Sequence, residues 1–466
     1  MGHREARAQS GRRRQRVTPV GPDRVGNAAA TVAPRTSGRS WRALRHRNYR
    51  LYFCGQSVSL LGSWTQQVAL GWLVYRLTDS AALLGTVAFL AQAPQLVVAP
   101  FAGLVIDRVE RKRLMLLVQL MMLIQASFLT VSTFSGAITP LQILIASALL
   151  GVLNSFDAPL RHALAAPLIA DPDDLPNAIA LNSLIFNTAR FVGPPFAGAV
   201  LAMTSEAACF ALNAVSFLAV IAALLCIRIT RQPALAVPFA AAMREGAEFV
   251  RSNLPVRKLL MQVALLNFLA ASYVPLMPVF ARDVFAGGPD TLGILLGSAG
   301  AGALCASLHL VMRRSVRGLT GVIAGGNLLA ALALIGFVLS DTLWLGAGML
   351  FLLGFGIISG NASSNTVLQT ILPDVLRGRV LAFYTAANLG AAAVGSLLAG
   401  IIADHAGAET TEIAAGLTLL LASLHFRLKL KFLRMHLRPI YAALGIRHPG
   451  AAERDADAAT RESCNR

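Results

Sequence analysis

Apolar runs long enough to cross a bilayer recur along this chain, and no other feature narrows the possible folds so far. A membrane-spanning helix needs about 17–25 predominantly apolar residues. Twelve such stretches are legible, at 51–75, 82–106, 114–134, 141–166, 179–204, 207–227, 259–281, 291–312, 319–340, 343–369, 380–404 and 411–428. Inside hydrocarbon every backbone N–H and C=O needs a partner within the protein, which leaves helices or closed barrels. The period-2 alternation of barrel strands is absent. The expectation is an all-α integral membrane protein with twelve transmembrane helices. Composition agrees: 55% of the residues are hydrophobic and 14% charged, against about 25% charged in soluble domains.

The chain carries 41 Lys and Arg against 23 Asp and Glu, a net charge of +18. In a soluble protein that excess would point to nucleic acid. Here it alternates with the spans. With the N-terminus in the cytoplasm, 38 of the 41 cations fall on the cytoplasmic side, leaving Arg76 and Arg282 outside and Arg190 within a span. That is the positive-inside pattern. It sets a multi-pass protein of the cytoplasmic membrane with both ends inside, lipids around it and no nucleic-acid partner.

Residues 1–40, rich in Arg, Gly, Pro and Ser, read as a disordered basic tail. No short apolar region with a cleavage site precedes the first span. Residues 41–228 hold the first six spans and 259–430 the second six, with a cytoplasmic tail from 431 to 466. Between the halves, over 229–258, "AVPFAAAMREGAEFVRSN" has helical periodicity. Phe239, Ala242, Met243, Ala247 and Val250 are placed to lie on the membrane. Five cysteines show neither disulfide nor metal spacing. No cofactor or metal is expected.

An internal repeat joins the halves. "VGPPFAG" (192–198) and "VGSLLAG" (394–400) share residues at an offset of 202 and sit in the fifth span of each set of six. Two six-helix halves related by an axis along the membrane normal are one known transporter plan, with the substrate path between them. Gly193, Pro194 and Gly198, and Gly395 and Gly400, are then a helix-packing motif, since small residues allow close approach.

"GLVIDRVERKR", between spans two and three, resembles the loop motif of the major facilitator superfamily, Gly-x-x-x-Asp-Arg-x-Gly-x-Arg/Lys-Arg/Lys. Gly103, Asp107, Arg108, Lys112 and Arg113 fit, and Glu110 replaces the second Gly. That form is similar to the branch containing enterobactin exporters and macrolide efflux proteins. "WRALRHRNYRLYF" (41–53), "SLLGSWTQQVALGWLVY" (59–75), "FDAPLRHAL" (156–164) and "LRGRVLAFYTAANLG" (376–390) resemble it too. The resemblance covers about residues 41–430. It implies two pseudo-symmetric halves, alternating access and a monomer. It also implies a gating role for Gly103, Asp107, Arg108, Arg111, Lys112 and Arg113, with Asp107 near the start of the eleventh span at "PDVLRGRV" (373–380). A loop that only orients the chain is the plainer reading. The Gly-Pro motif of span five resembles one frequent in exporters.

Other residues carry chemistry of their own. Asp157 and Arg161 stand four apart on one helix face. A charge within the bilayer is costly unless paired or hydrated. Asp157 is therefore either a proton carrier or half of a static pair at the end of span four. Arg190 either neutralises Asp157 or meets an anionic substrate group. Gln66, Gln67, Asn154, Asn267, Asn361, Asn365 and Gln369 fall in spans one, four, seven and ten, the cavity-lining spans of the family the chain resembles. Alternatively, each is an interhelical hydrogen bond. There is no Gly-x-x-x-x-Gly-Lys-Ser/Thr loop to bind ATP, no HExxH, and no nucleophile placed for His162 or His309. The reading is a secondary transporter, not an enzyme: an exporter of small amphipathic compounds (siderophores, macrolide-like drugs or secreted metabolites) coupled to protons. The rivals are an importer of the same fold and a non-transporting membrane receptor.

Overall fold

The computed structural model describes residues 41–227, 239–313 and 315–444. The basic tail over 1–40, the start of the linker and the end from 445 onward, read above as tails and linker, lie outside the described residues. Among these residues the chain is helical without strands. The first half comprises α1 (Arg47–Thr78), α2 (Ala81–Arg108), α3 (Arg111–Phe134), α4 (Pro140–Ala165), α5 (Leu175–Met203) and α6 (Glu206–Cys226). A linker helix, α7 (Phe239–Ser252), follows. The second half holds α8 (Leu254–Ala270), α9 (Tyr273–Val279), α10 (Pro289–Val311), α11 (Leu319–Val338), α12 (Leu343–Ile371), α13 (Asp374–Thr385), α14 (Ala391–Ala406) and α15 (Ala408–Ala443).

Two of the second half's spans are composite. The seventh breaks between α8 and α9 and ends in a wide turn at Phe280–Val284; Pro275 and Pro278 remove backbone donors there. The eleventh joins α13 to α14 through a wide turn at Ala386–Gly390. Eleven of the twelve expected spans are long and apolar enough to cross a membrane. The twelfth, α1, is 32 residues long, but Gln56, Ser59, Ser63, Thr65, Gln66 and Gln67 dilute its hydropathy. Ser63 and Thr65 bond back to carbonyls one turn earlier, which spares lipid an open hydroxyl.

Helix pairing repeats with a shift of six spans. Within the first half α1 packs on α5 and α6, α2 on α4, and α3 on α4 and α6. Within the second, α8 packs on α14 and α15, α10 on α12, and α11 on α12 and α15. The halves meet along α2 with α14 and α5 with α10. At each seam glycine faces glycine. A Cβ on Gly400 would lie 2.9 Å from the Cα of Gly85, and one on Gly198 would lie 2.8 Å from that of Gly293. The 192–198 and 394–400 repeat thus supplies one glycine to each seam. Its other glycines act inside the halves: Gly193 takes Trp64 of α1, and Gly395 takes the backbone of Phe268 in α8.

Two expectations differ from what is observed. The last helix runs on to Ala443, well past 430. Leu433 and Leu437, one turn apart, are buried in the second half's core, and Arg434 donates to Thr320. The linker helix α7 turns one face to the protein. Gly246 is buried against Arg379 and Phe383 of α13, Glu245 pairs with Arg379, and Val250 joins the core. The side chains of Phe239 and Ala242 lie outside the described residues.

Candidate functional site

The connections place two ends on the bundle. One, the linker end, carries the links α2 to α3, α4 to α5, α10 to α11 and α12 to α13; the other is the far end. Between the halves lies a cavity of about 340 Å³. The first half contributes Arg190 from α5. The second contributes Asn267 of α8, Tyr273 of α9, Asn361 and Asn365 of α12, Tyr384 of α13 and Asn388. Asn267 and Asn361 exchange two amide hydrogen bonds at 2.9 and 3.1 Å, and Tyr384 donates to the carbonyl of Asn361 at 2.9 Å. Asn361, Asn365 and Gln369 share one face of α12. Exposure rises along it, from a buried Asn361 to an exposed Gln369, toward the linker end. Gln369 donates to Asn365 at 3.0 Å.

The far end is latched across the halves. Arg282 pairs with Asp79 at 2.6 Å and lies over the ring of Tyr75, whose hydroxyl donates to Asp283. Asp404, at the end of α14, accepts from Ser80 Oγ at 3.0 Å and from the backbone N–H groups of Ala81 at 2.6 Å and Ala82 at 3.1 Å. A carboxylate there meets the orphan donors and positive end of α2.

Asp157 stands apart from the cavity lining. It accepts from Gln119 at 2.8 Å and pairs with Arg161 at 2.8 Å. Arg161 also lies 4.8 Å over the ring of Phe186. The four-residue spacing therefore makes the pair, and the alternative partner, Arg190, does not reach Asp157. The basic residues of the loop after span two bind within their own half. Arg111 donates to the carbonyl of Ala163 at 3.4 Å, Lys112 to that of Ile227 at 2.6 Å, and Arg113 pairs with Glu110. The first two are carbonyls at or near the ends of α4 and α6, where cations are favoured. Arg108 is exposed, and no neighbour approaches the open side of Gly103. The side chain of Asp107 lies outside the described residues.

Of the uncharged polar residues, Asn267, Asn361 and Asn365 line the cavity. Gln66 does not: it is buried in the first half, bonding Gln125 at 3.2 Å and Asn213 at 2.8 Å. Gln67 is exposed and Asn154 half-buried. Sequence reasoning missed Glu412. It is fully buried in α15; Ser272 lies 3.4 Å from one carboxyl oxygen, and the other has no partner among the described residues. The signal was present, as a lone acid just inside the last apolar run.

The chain matches the family described as transmembrane secretion effector over residues 38–441. It is similar to the staphyloferrin A transporter of Staphylococcus aureus, 26% identical over 82% of this chain and 97% of that one. It is also similar to macrolide efflux protein A of Streptococcus pyogenes, at 26% identity over 57% of this chain and 67% of the other. Among solved structures, a D-xylose–proton symporter superposes with a TM-score of 0.64 at 14% identity, covering 82% of this chain and 97% of that chain. The paired halves, the shared cavity and this match agree: the chain belongs to the transmembrane secretion effector family, a family of multi-pass transporters of the major facilitator superfamily rather than enzymes.

Proposed function

We propose that the protein is a proton-coupled exporter of small amphipathic compounds, working by alternating access in the cell membrane with both termini cytoplasmic. The observation that carries this reading is the cavity itself. It lies between the halves, with a cation on one wall and amides and phenols on the other, while the far end is latched. With the linker end in the cytosol, as the distribution of Lys and Arg favours, this is a loading state: closed outside, reached from within. Efflux relatives and the secretion family support the outward direction.

Two buried acids could serve a proton. Asp157 is held by Arg161 and Gln119. Glu412 forms no ion pair among the described residues, and burying an ionised carboxylate unpaired is costly. Glu412 is thus suited to cross the bundle as the neutral acid and to release its proton only when rocking lets water in. Everted vesicles test this. Energised uptake of a macrolide or a siderophore should collapse with a protonophore. Glu412→Gln should abolish concentrative uptake and keep exchange, whereas accumulation that withstands the protonophore would refute proton coupling.

A further inference from the structure

We propose that Arg190 is the anion-recognition point of the cavity and that the transported molecule bears a carboxylate. This rests on the reading that the cavity holds the substrate.

Its place inside a span sets Arg190 apart. Arg161, Arg76 and Arg282 each hold a carboxylate at 2.6–2.8 Å. Arg190 has none within 4.0 Å among the described residues, although it lies near the middle of α5, exposed on the cavity lining. Glu412, buried in α15 of the second half, forms no ion pair with Arg190. A guanidinium at this depth is costly unless water or a counter-charge meets it. Water serves while the cavity is open. When the halves close over a ligand, that water leaves and the charge needs a partner.

The other wall says which partner. Its lining side chains are neutral, and the amides of Asn267 and Asn361 already bond each other. A neutral ligand would strand the guanidinium on closure, and a cationic one would be repelled. A phosphate brings close to two charges against a single cation. A carboxylate matches both the charge and the planar fork of arginine. Its remaining body would meet Asn365, Tyr384 and Asn388 on the second half, so one bound molecule ties the halves together.

The test uses the full chain in nanodiscs with dansylglycine and its uncharged methyl ester, titrated by dansyl fluorescence. The wild type should bind the acid at least about tenfold more tightly than the ester. Arg190→Gln should remove that preference while leaving ester affinity within about twofold, and Arg190→Lys should keep part of it. Equal binding of acid and ester by the wild type, which needs no variant to fold, would overturn the proposal. So would a preference that survives in Arg190→Gln. A parallel uptake assay separates the two readings. Acid-selective binding without energised uptake of any substrate supports this site and sinks the transport reading. Energised uptake of a macrolide with no acid preference does the reverse.

Discussion

Replacing Gly400 by Ala should open the far end. A Cβ there would stand 2.5 Å from the carbonyl oxygen of Ala81, 2.9 Å from the Cα of Gly85 and 3.0 Å from its nitrogen. Non-bonded carbon atoms prefer about 3.5–4.0 Å. The obstructing atoms are backbone, so no side chain can swing aside and α2 and α14 must part. Overpacking of this kind costs about 1–3 kcal/mol. Only conformations with the far ends together bear that cost. The balance between far-closed and far-open states should therefore shift by about 5- to 150-fold. Spin labels at Ser135 and Asp341, on far-end links of opposite halves, report it in a background lacking the native cysteines. The longer distances should gain population in Gly400→Ala. Gly348→Ala, where a Cβ meets nothing within 4 Å, should leave the distribution unchanged. Gly198→Ala strains the other seam, with its Cβ 2.7 Å from the carbonyl of Pro289. Its effect should add to that of Gly400→Ala, since the two sites share no partner. A Gly400→Ala protein that folds and keeps the wild-type distances would refute the pivot argument.

Two further substitutions probe the charges the fold has already paired. Asp157→Ala leaves the half-buried Arg161 without its carboxylate and should cost up to about 3 kcal/mol, read as a drop in melting temperature in detergent. Asp157→Asn combined with Arg161→Gln should recover most of it, and equal losses in single and double variants would refute the pairing. Asp404→Ala removes the acceptor for the first two N–H groups of α2, while Ser80 still accepts from Leu83, and should cost the latched state about 0.5–2 kcal/mol. The same spin labels should show the far end opening more often, and an unchanged population would show that the cap does not favour closure.

The fold was legible because its main determinant is one-dimensional. A bilayer demands a set length of apolar helix, so the succession of spans and the long central link can be read residue by residue. What escaped has a three-dimensional cause. Span twelve looks finished at Leu428 because Arg427, Lys429 and Lys431 end the apolar run. Leu433 and Leu437 nevertheless hold the helix against the second half to Ala443. The face of α7 is amphipathic by periodicity alone, and periodicity does not distinguish lipid from protein as the surface it covers. The contacts of Gly246 with Arg379 and Phe383, and the packing of Val250 on the core, show that protein takes part of it.

The site was legible in residue type and not in partnership. Sequence could bring Asp157 to Arg161, four residues apart on one helix, because that distance is set by helical pitch. It could not exclude Arg190 as a rival, since the approach of α4 to α5 is a tertiary matter. Amides show the same divide. Gln66 and Asn267 look alike in a string, both polar and both within a span. Gln66 finds Gln125 and Asn213 inside its own half and is spent on cohesion, whereas Asn267 faces the space between the halves. The far-end latch shows how far pattern alone can go. Gly400-x-x-x-Asp404 ends span eleven as Gly103-x-x-x-Asp107 ends span two, and these spans run antiparallel. The pattern marks an acid near the end of each helix. Becoming a cap takes the neighbour's N-terminus within about 3 Å, and Asp404 has that in Ala81 and Ala82. A residue's chemistry is thus local, but its job is assigned by what the opposite half brings to it. For Arg190 the opposite half brings amides and phenols and no acid, which leaves the counter-charge to come from the ligand.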